Sequence, residues 1–289
     1  MRTRFKDEAL DNQFEKDGYI VIPNWVNADQ IANMKMIISN CQNALQLDKN
    51  ILNTLLLEDK EMRSEISDRL MEQLKPSIEE YFFDYLPYFG YALIKPFSPS
   101  MVNIHRDASV LNEEKFEYIT TWLPLEDVNK DNGCIFIFPE SQKLFTYEVP
   151  IGVDWPYPQL TNTLNKYVVD LPMKAGDLLL FSSRTLHGSY SNQSKESRVV
   201  VASVLIHPDS EVLFYYYDRN NNLVKVYEVD PWFYFRNEFD DPVGKYPLKK
   251  TYTFNPPVVT EKTVKEFYEK NPAKTNLFSN LLRRFGVNA

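Results

Sequence analysis

The chain has 289 residues, with 44% hydrophobic and 25% charged residues and a net charge of −8. That composition suits a globular protein with a sizeable core, and its acidity argues against nucleic acid or an anionic membrane as partner. Glycine is scarce at 8, and neither a Gly-x-Gly-x-x-Gly nor a Walker pattern occurs, which excludes the common phosphate-binding loops.

Residues 7–17 read as a short polar helix closed by Gly18, followed by a strand over Tyr19–Ile22 that stops at Pro23. Asn27 is an expected N-cap for a helix in which Ile31, Met34, Ile37 and Ile38 recur at helical spacing. Helices are also predicted over 45–58 and 60–74, with Pro76 opening another over roughly 76–85. From residue 88 the pattern changes to short strands: 88–95, Val102–Ala108, Glu117–Leu125, Cys134–Phe138, Tyr167–Leu171, Leu178–Phe181, Leu186–Tyr190 and Arg198–Ile206. Asn132-Gly133 is the strongest hairpin signal in the chain. Residues 144–166 form an aromatic insertion, with Trp155 and Tyr157, of the kind that lines or covers a site. A further hairpin is expected around Asn220-Asn221-Asn222, and helices over 260–270 and 275–285. Cys41 and Cys134 read as small buried hydrophobes. The start of the chain has no apolar leader and no run is long enough to cross a membrane, so a cytoplasmic protein is expected.

Many short strands without βαβ alternation predict a mainly β fold, a sandwich or jelly roll with flanking helices. The expected organisation is one domain over 1–289, with mostly helical support over 10–87, a β core over 88–207 and a C-terminal extension over 208–289.

The chemistry centres on His105-Arg106-Asp107. In an extended strand, positions 105 and 107 share a face while Arg106 points away. With His187 they make a set of two imidazoles and one carboxylate. Three such ligands on one octahedral face favour iron(II) and leave positions for a bidentate 2-oxo acid and O₂. A structural zinc would take four ligands, often thiolates, which are absent here. If a turn is centred near Gln193-Ser194, Ser189 lies across from Arg198 on the face of His187. A guanidinium and a hydroxyl there suit the distal carboxylate of 2-oxoglutarate. His207, nine residues beyond Arg198, falls on the opposite face and is not counted as a ligand. Arg184, Arg106 and Trp155 are the candidate substrate contacts.

Four stretches resemble the phytanoyl-CoA dioxygenase family: Phe14–Pro23, His105-Arg106-Asp107, Asp131–Lys143, and Ala175–Phe181 running on through His187-Gly188-Ser189 to Arg198. Two positions depart from the family pattern, Glu140 for a usual glycine and Gln142 for a usual histidine. The resemblance covers roughly residues 10–207. It implies a double-stranded β-helix of the jelly-roll, cupin-like kind that uses Fe(II), 2-oxoglutarate and O₂. His105, Asp107 and His187 would bind the metal, Arg198 and Ser189 the 2-oxoglutarate, and Thr121 would assist. The expected activity is hydroxylation of a small molecule with release of succinate and CO₂. Desaturation, epimerisation or cyclisation is the alternative on the same cofactors, and a non-catalytic metal-binding relative is another. Asp107 argues against halogenation, since related halogenases lack that carboxylate. Phytanoyl-CoA itself is not the expected substrate, because a CoA thioester calls for a basic entrance.

Overall fold

The computed structural model describes residues 3–42 and 51–270. Helix α1 (Glu8–Asp17) is capped by the Asp7 side chain and closed by Gly18 in the left-handed conformation. Strand β1 (Tyr19–Ile22) leads to helix α2 (Ala28–Gln42). Asn27 and Gln30 exchange side-chain-to-backbone hydrogen bonds at the start of α2, a capping box. A two-residue strand β2 (Leu52–Asn53) and one 3₁₀ turn stand where a helix over 45–58 is predicted; the rest of that prediction falls largely outside the described residues. Helix α3 runs unbroken over Lys60–Tyr81 with Pro76 inside it, not at a start. Its buried stripe, Ile66, Leu70, Leu74 and Ile78, continues across the proline. That packing outweighs the cost of about 3 kcal/mol for an interior proline.

The β core follows as β3 (Leu86–Lys95), β4 (Val102–His105), β5 (Ile119–Pro124), β6 (Ile135–Ile137), a short helix α4 (Thr161–Leu164), β7 (Val169–Leu171), β8 (Leu178–Ser182), β9 (His187–Ser189) and β10 (Arg198–Ile206). A six-stranded sheet has the order β1-β8-β5-β10-β3-β2 and faces a four-stranded sheet of order β4-β9-β6-β7. Most core connections cross from one sheet to the other, which makes the expected double-stranded β-helix. This crossing overturns both hairpin expectations in the core. Gly133 does sit in a tight turn with φ +87°, but β5 and β6 belong to different sheets. Likewise β9 pairs with β4 and β6, and β10 pairs with β3 and β5, so Ser189 and Arg198 are not ladder partners. A turn signal reports local backbone shape; which strand the chain then pairs with is set by burial of its faces.

Side-chain alternation divides the core. Ile119, Leu123, Leu178 and Leu180 point outward into a layer with α1, α2 and α3, whereas Trp122, Leu179 and Phe181 point inward toward Ile135, Ile137 and Leu171 of the facing sheet. The C-terminal part adds β11 (Leu213–Asp218) and β12 (Leu223–Glu228), paired as the asparagine turn predicts, then a short helix α5 (Phe233–Arg236). An unpredicted strand β13 (Leu248–Thr253) joins β12, and helix α6 (Glu261–Lys270) ends the described chain. The helix predicted over 275–285 and the side chain of Cys41 lie outside the described residues; Cys134 is buried. Among the described residues no helix is long and apolar enough to cross a membrane.

Candidate functional site

Between the two sheets lies a cavity of about 270 Å³. His105, at the end of β4, and His187, at the start of β9, are directly paired across their strands. The register of β4 shifts between Val102 and His105, and the strand ends there, so Asp107 is delivered by the segment that follows it. The convergence inferred for one extended strand is thus achieved by a strand tip and the chain beyond it. One ligand atom from each of His105, Asp107 and His187 lies within 4.8 Å of the others. The imidazole centroids are 4.2 Å apart, and His187 Nε2 is 3.6 Å from Asp107 Oδ1.

Each ligand is oriented by a second contact. His105 Nδ1 lies 2.9 Å from the Asn103 carbonyl and His187 Nδ1 lies 3.0 Å from the Thr185 carbonyl. A carbonyl only accepts, so both Nδ1 atoms carry the hydrogen and both Nε2 lone pairs face the cavity. Thr120 donates to Asp107 Oδ2 at 2.5 Å, which leaves Oδ1 for the cavity. Burial, with His105 beside it, holds the His187 imidazole down to about 4 against the opposing pull of Asp107, so the ring is neutral at pH 7. These are the requirements of a metal site with three ligands on one side.

Arg198, at the other end, is 2% exposed and lies over the Trp122 ring at 5.4 Å. Its Nε and Nη1 have no hydrogen-bond partner among the described residues. Burial holds this guanidinium down to about 10. Ser189 lines the same cavity, so the two come together across the sheets, not along a hairpin. Gly188, between the histidine and the serine, is required: a Cβ there would stand 2.4 Å from the Phe136 ring and 2.6 Å from the Val102 carbonyl.

The remaining candidates lie elsewhere. Thr121 shares the outward face with Ile119 and Leu123, its hydroxyl is 2.6 Å from Ser203 Oγ, and it does not line the cavity. Thr120 occupies the inward position expected of Thr121. Arg106 is buried and held by Glu113 at 2.6 Å and by the carbonyls of Phe145 and Tyr147. Arg184 also binds Glu113 and lines a separate, larger cavity of about 740 Å³ whose Arg4, too, is ion-paired, with Glu15 and Glu117. The larger cavity holds none of the three candidate ligands, whereas the smaller one is lined by all three. Trp155 packs on Phe145 and Tyr157 away from the metal ligands. His207 lies outside the His105-Asp107-His187 group and stacks on Phe116. Two relevant residues were not singled out from sequence: Thr120, whose strand parity is readable but whose buried face looks like the other, and Lys95, a lysine at a strand end that carries no sequence signal.

Residues 88–200 match the family model described as Phytanoyl-CoA dioxygenase (PhyH). Over these residues the β core is similar to the phytanoyl-CoA dioxygenase family. The chain is 33% identical over 100 residues to phytanoyl-CoA dioxygenase 1 of Oryza sativa subsp. japonica and 30% identical over 100 residues to phytanoyl-CoA dioxygenase of Arabidopsis thaliana. Each match covers 32% of this chain and 34% of the relative's length. Among solved structures, the fold is similar to the non-heme alpha ketoglutarate dependent carbocyclase SnoK from nogalamycin biosynthesis, with TM-score 0.53 and 16% identity over 71% of this chain and 86% of that one. It is also similar to the epimerase SnoN of the same biosynthesis, at 0.52 and 17% over 86% and 99%. EctD from S. alaskensis, with 2-oxoglutarate and 5-hydroxyectoine, gives 0.51 and 18% over 71% and 78%.

Proposed function

We propose that this PhyH-family protein is a single-domain Fe(II)/2-oxoglutarate-dependent dioxygenase that hydroxylates a small molecule. One observation carries the reading: a single cavity is lined both by a converging His-Asp-His set and by a buried guanidinium with two unpartnered hydrogen-bond groups. The residues present fit the implied cofactors. Three mixed nitrogen and oxygen donors suit iron(II), and an orphaned guanidinium beside a hydroxyl suits a carboxylate.

In this reading His105 and His187 offer their Nε2 lone pairs and Asp107 its Oδ1 to the metal, while Arg198 and Ser189 hold the distal carboxylate of 2-oxoglutarate. Iron(II) and 2-oxoglutarate, when bound, would supply dioxygen activation coupled to decarboxylation of the oxo acid to succinate. Phe181, Trp122 and Ile135 wall the cavity beside the buried Arg198 and His187, and this apolar surround strengthens polar contacts there. His105 and Asp107 are the partly exposed ligands and His187 the buried one, so substrate approaches from the side of the first two. The acidic chain and the small cavity favour a compact substrate over a CoA thioester. Small biosynthetic molecules, the class named for the SnoK and SnoN structures, are the substrates we favour.

The test is succinate formation from 2-oxoglutarate under iron(II) and air, followed by a mass-spectrometric screen for products that gain one oxygen atom. An iron-loaded protein that neither binds 2-oxoglutarate nor releases succinate would overturn the reading.

A further inference from the structure

Behind Ser189 stands a lysine that the metal ligands and Arg198 leave unexplained. Lys95 is 1% exposed and is directly opposite Arg198 in the β3–β10 register. Its ammonium donates to Ser189 Oγ at 3.2 Å, more weakly to the Ser189 carbonyl at 3.5 Å, and to the Tyr190 carbonyl. All three acceptors are neutral. Among the described residues no carboxylate lies within ion-pair distance of Lys95 or of Arg198. The acid that acts on Arg198 through space, Glu126, accepts the Val199 amide and lies 3.7 Å from Lys35. Two buried cations at opposed positions repel each other and call for an anion between the sheets.

The serine links them to the cavity. An ammonium has only donors, so Ser189 Oγ accepts from Lys95, and the hydroxyl proton is left for another acceptor. Ser189 and Arg198 both line the cavity. We propose that Lys95 is a positioning residue that turns the Ser189 hydroxyl toward the distal carboxylate and adds the second positive charge that selects a 2-oxo diacid over a 2-oxo monoacid. This rests on the reading of the cavity as a 2-oxoglutarate site.

The experiment titrates 2-oxoglutarate and 2-oxobutyrate into the manganese(II)-loaded full chain by calorimetry. Wild-type protein prefers the diacid. Lys95→Met loses about 10-fold in diacid affinity while 2-oxobutyrate and manganese affinities stay within about 2-fold. Ser189→Ala keeps the ammonium, removes the hydroxyl and loses diacid affinity in the same selective way; should Lys95→Met fail to fold, Lys95→Gln, which keeps a donor but drops the charge, decides the question by the same selective loss. The two losses do not multiply in the double variant, because they remove one relay. An equal loss on both acids, no loss on either, or multiplicative losses would overturn the role of Lys95. Wild-type protein that binds neither acid would instead overturn the 2-oxoglutarate reading itself.

Discussion

The two ends of the central cavity are finished to different degrees. At the metal end every ligand has its second contact: Asn103 for His105, Thr185 for His187 and Thr120 for Asp107. At the opposite end, among the described residues, Arg198 has two unpartnered groups and Lys95 finds only neutral acceptors. The first end is preorganised by the protein alone. The second carries buried positive charge that Glu126 offsets only through space and that, on the proposed reading, an incoming anion balances. On the proposed reading, metal binding depends on holding geometry, and diacid binding depends on supplying charge.

The largest expected effect is at the metal end. His187→Ala should lower metal affinity and succinate formation by at least about 100-fold, read by metal titration and by product assay, with the fold retained by circular dichroism. Intact metal affinity in that variant would remove His187 from the ligand set. Next comes the opposite end. Arg198→Met should weaken 2-oxoglutarate by on the order of 100-fold and leave metal affinity alone. Its thermal midpoint without ligand should equal or exceed that of wild type, because an apolar side chain replaces an uncompensated buried cation. A clear loss of stability would mean that the guanidinium is already balanced, and the contrast between the ends would fail. Thr120→Val should cost about 10-fold in metal affinity by freeing Asp107 Oδ2. The smallest effect is the neighbouring control: Thr121→Val should change neither ligand's affinity and should cost about 1 kcal/mol in chemical denaturation through its Ser203 contact. Reversed results for the two threonines would invert the assignment of strand faces.

Those threonines also mark what the sequence could and could not tell. The alternation of β5 was readable: Tyr118, Thr120 and Trp122 on one side, Ile119, Thr121 and Leu123 on the other. Which side faced the cavity was not readable, because both faces are buried and both are apolar. Arg198–Ile206 was bounded correctly since its β-branched run is long and ends at His207-Pro208. His105, Asp107 and His187 could be grouped because their residue types share one chemistry. The route by which Asp107 joins them was hidden, since a register shift and a strand end leave no mark in composition. Arg106 and Arg184 were candidate substrate contacts from sequence; their shared partner Glu113 is fixed only by tertiary packing. Helix α3 ran through Pro76 for a similar reason, its apolar stripe on both sides holding the turn together.

Gly188 leaves one more consequence. With Phe136 and the Val102 carbonyl pressed against its α-carbon, β9 has no room to slide between its neighbours. His187 and Ser189 are therefore kept two residues apart on an extended strand, a spacing of about 7 Å. That strand works as a gauge. A diacid anchored at the metal by one end meets the serine with the other only if its carbon chain has the matching span. On the proposed reading, a four-carbon 2-oxo diacid should fall short and a six-carbon one overshoot, as competition against 2-oxoglutarate would show. Cofactor choice would then be a measurement of length, taken along a strand that Gly188 keeps in place.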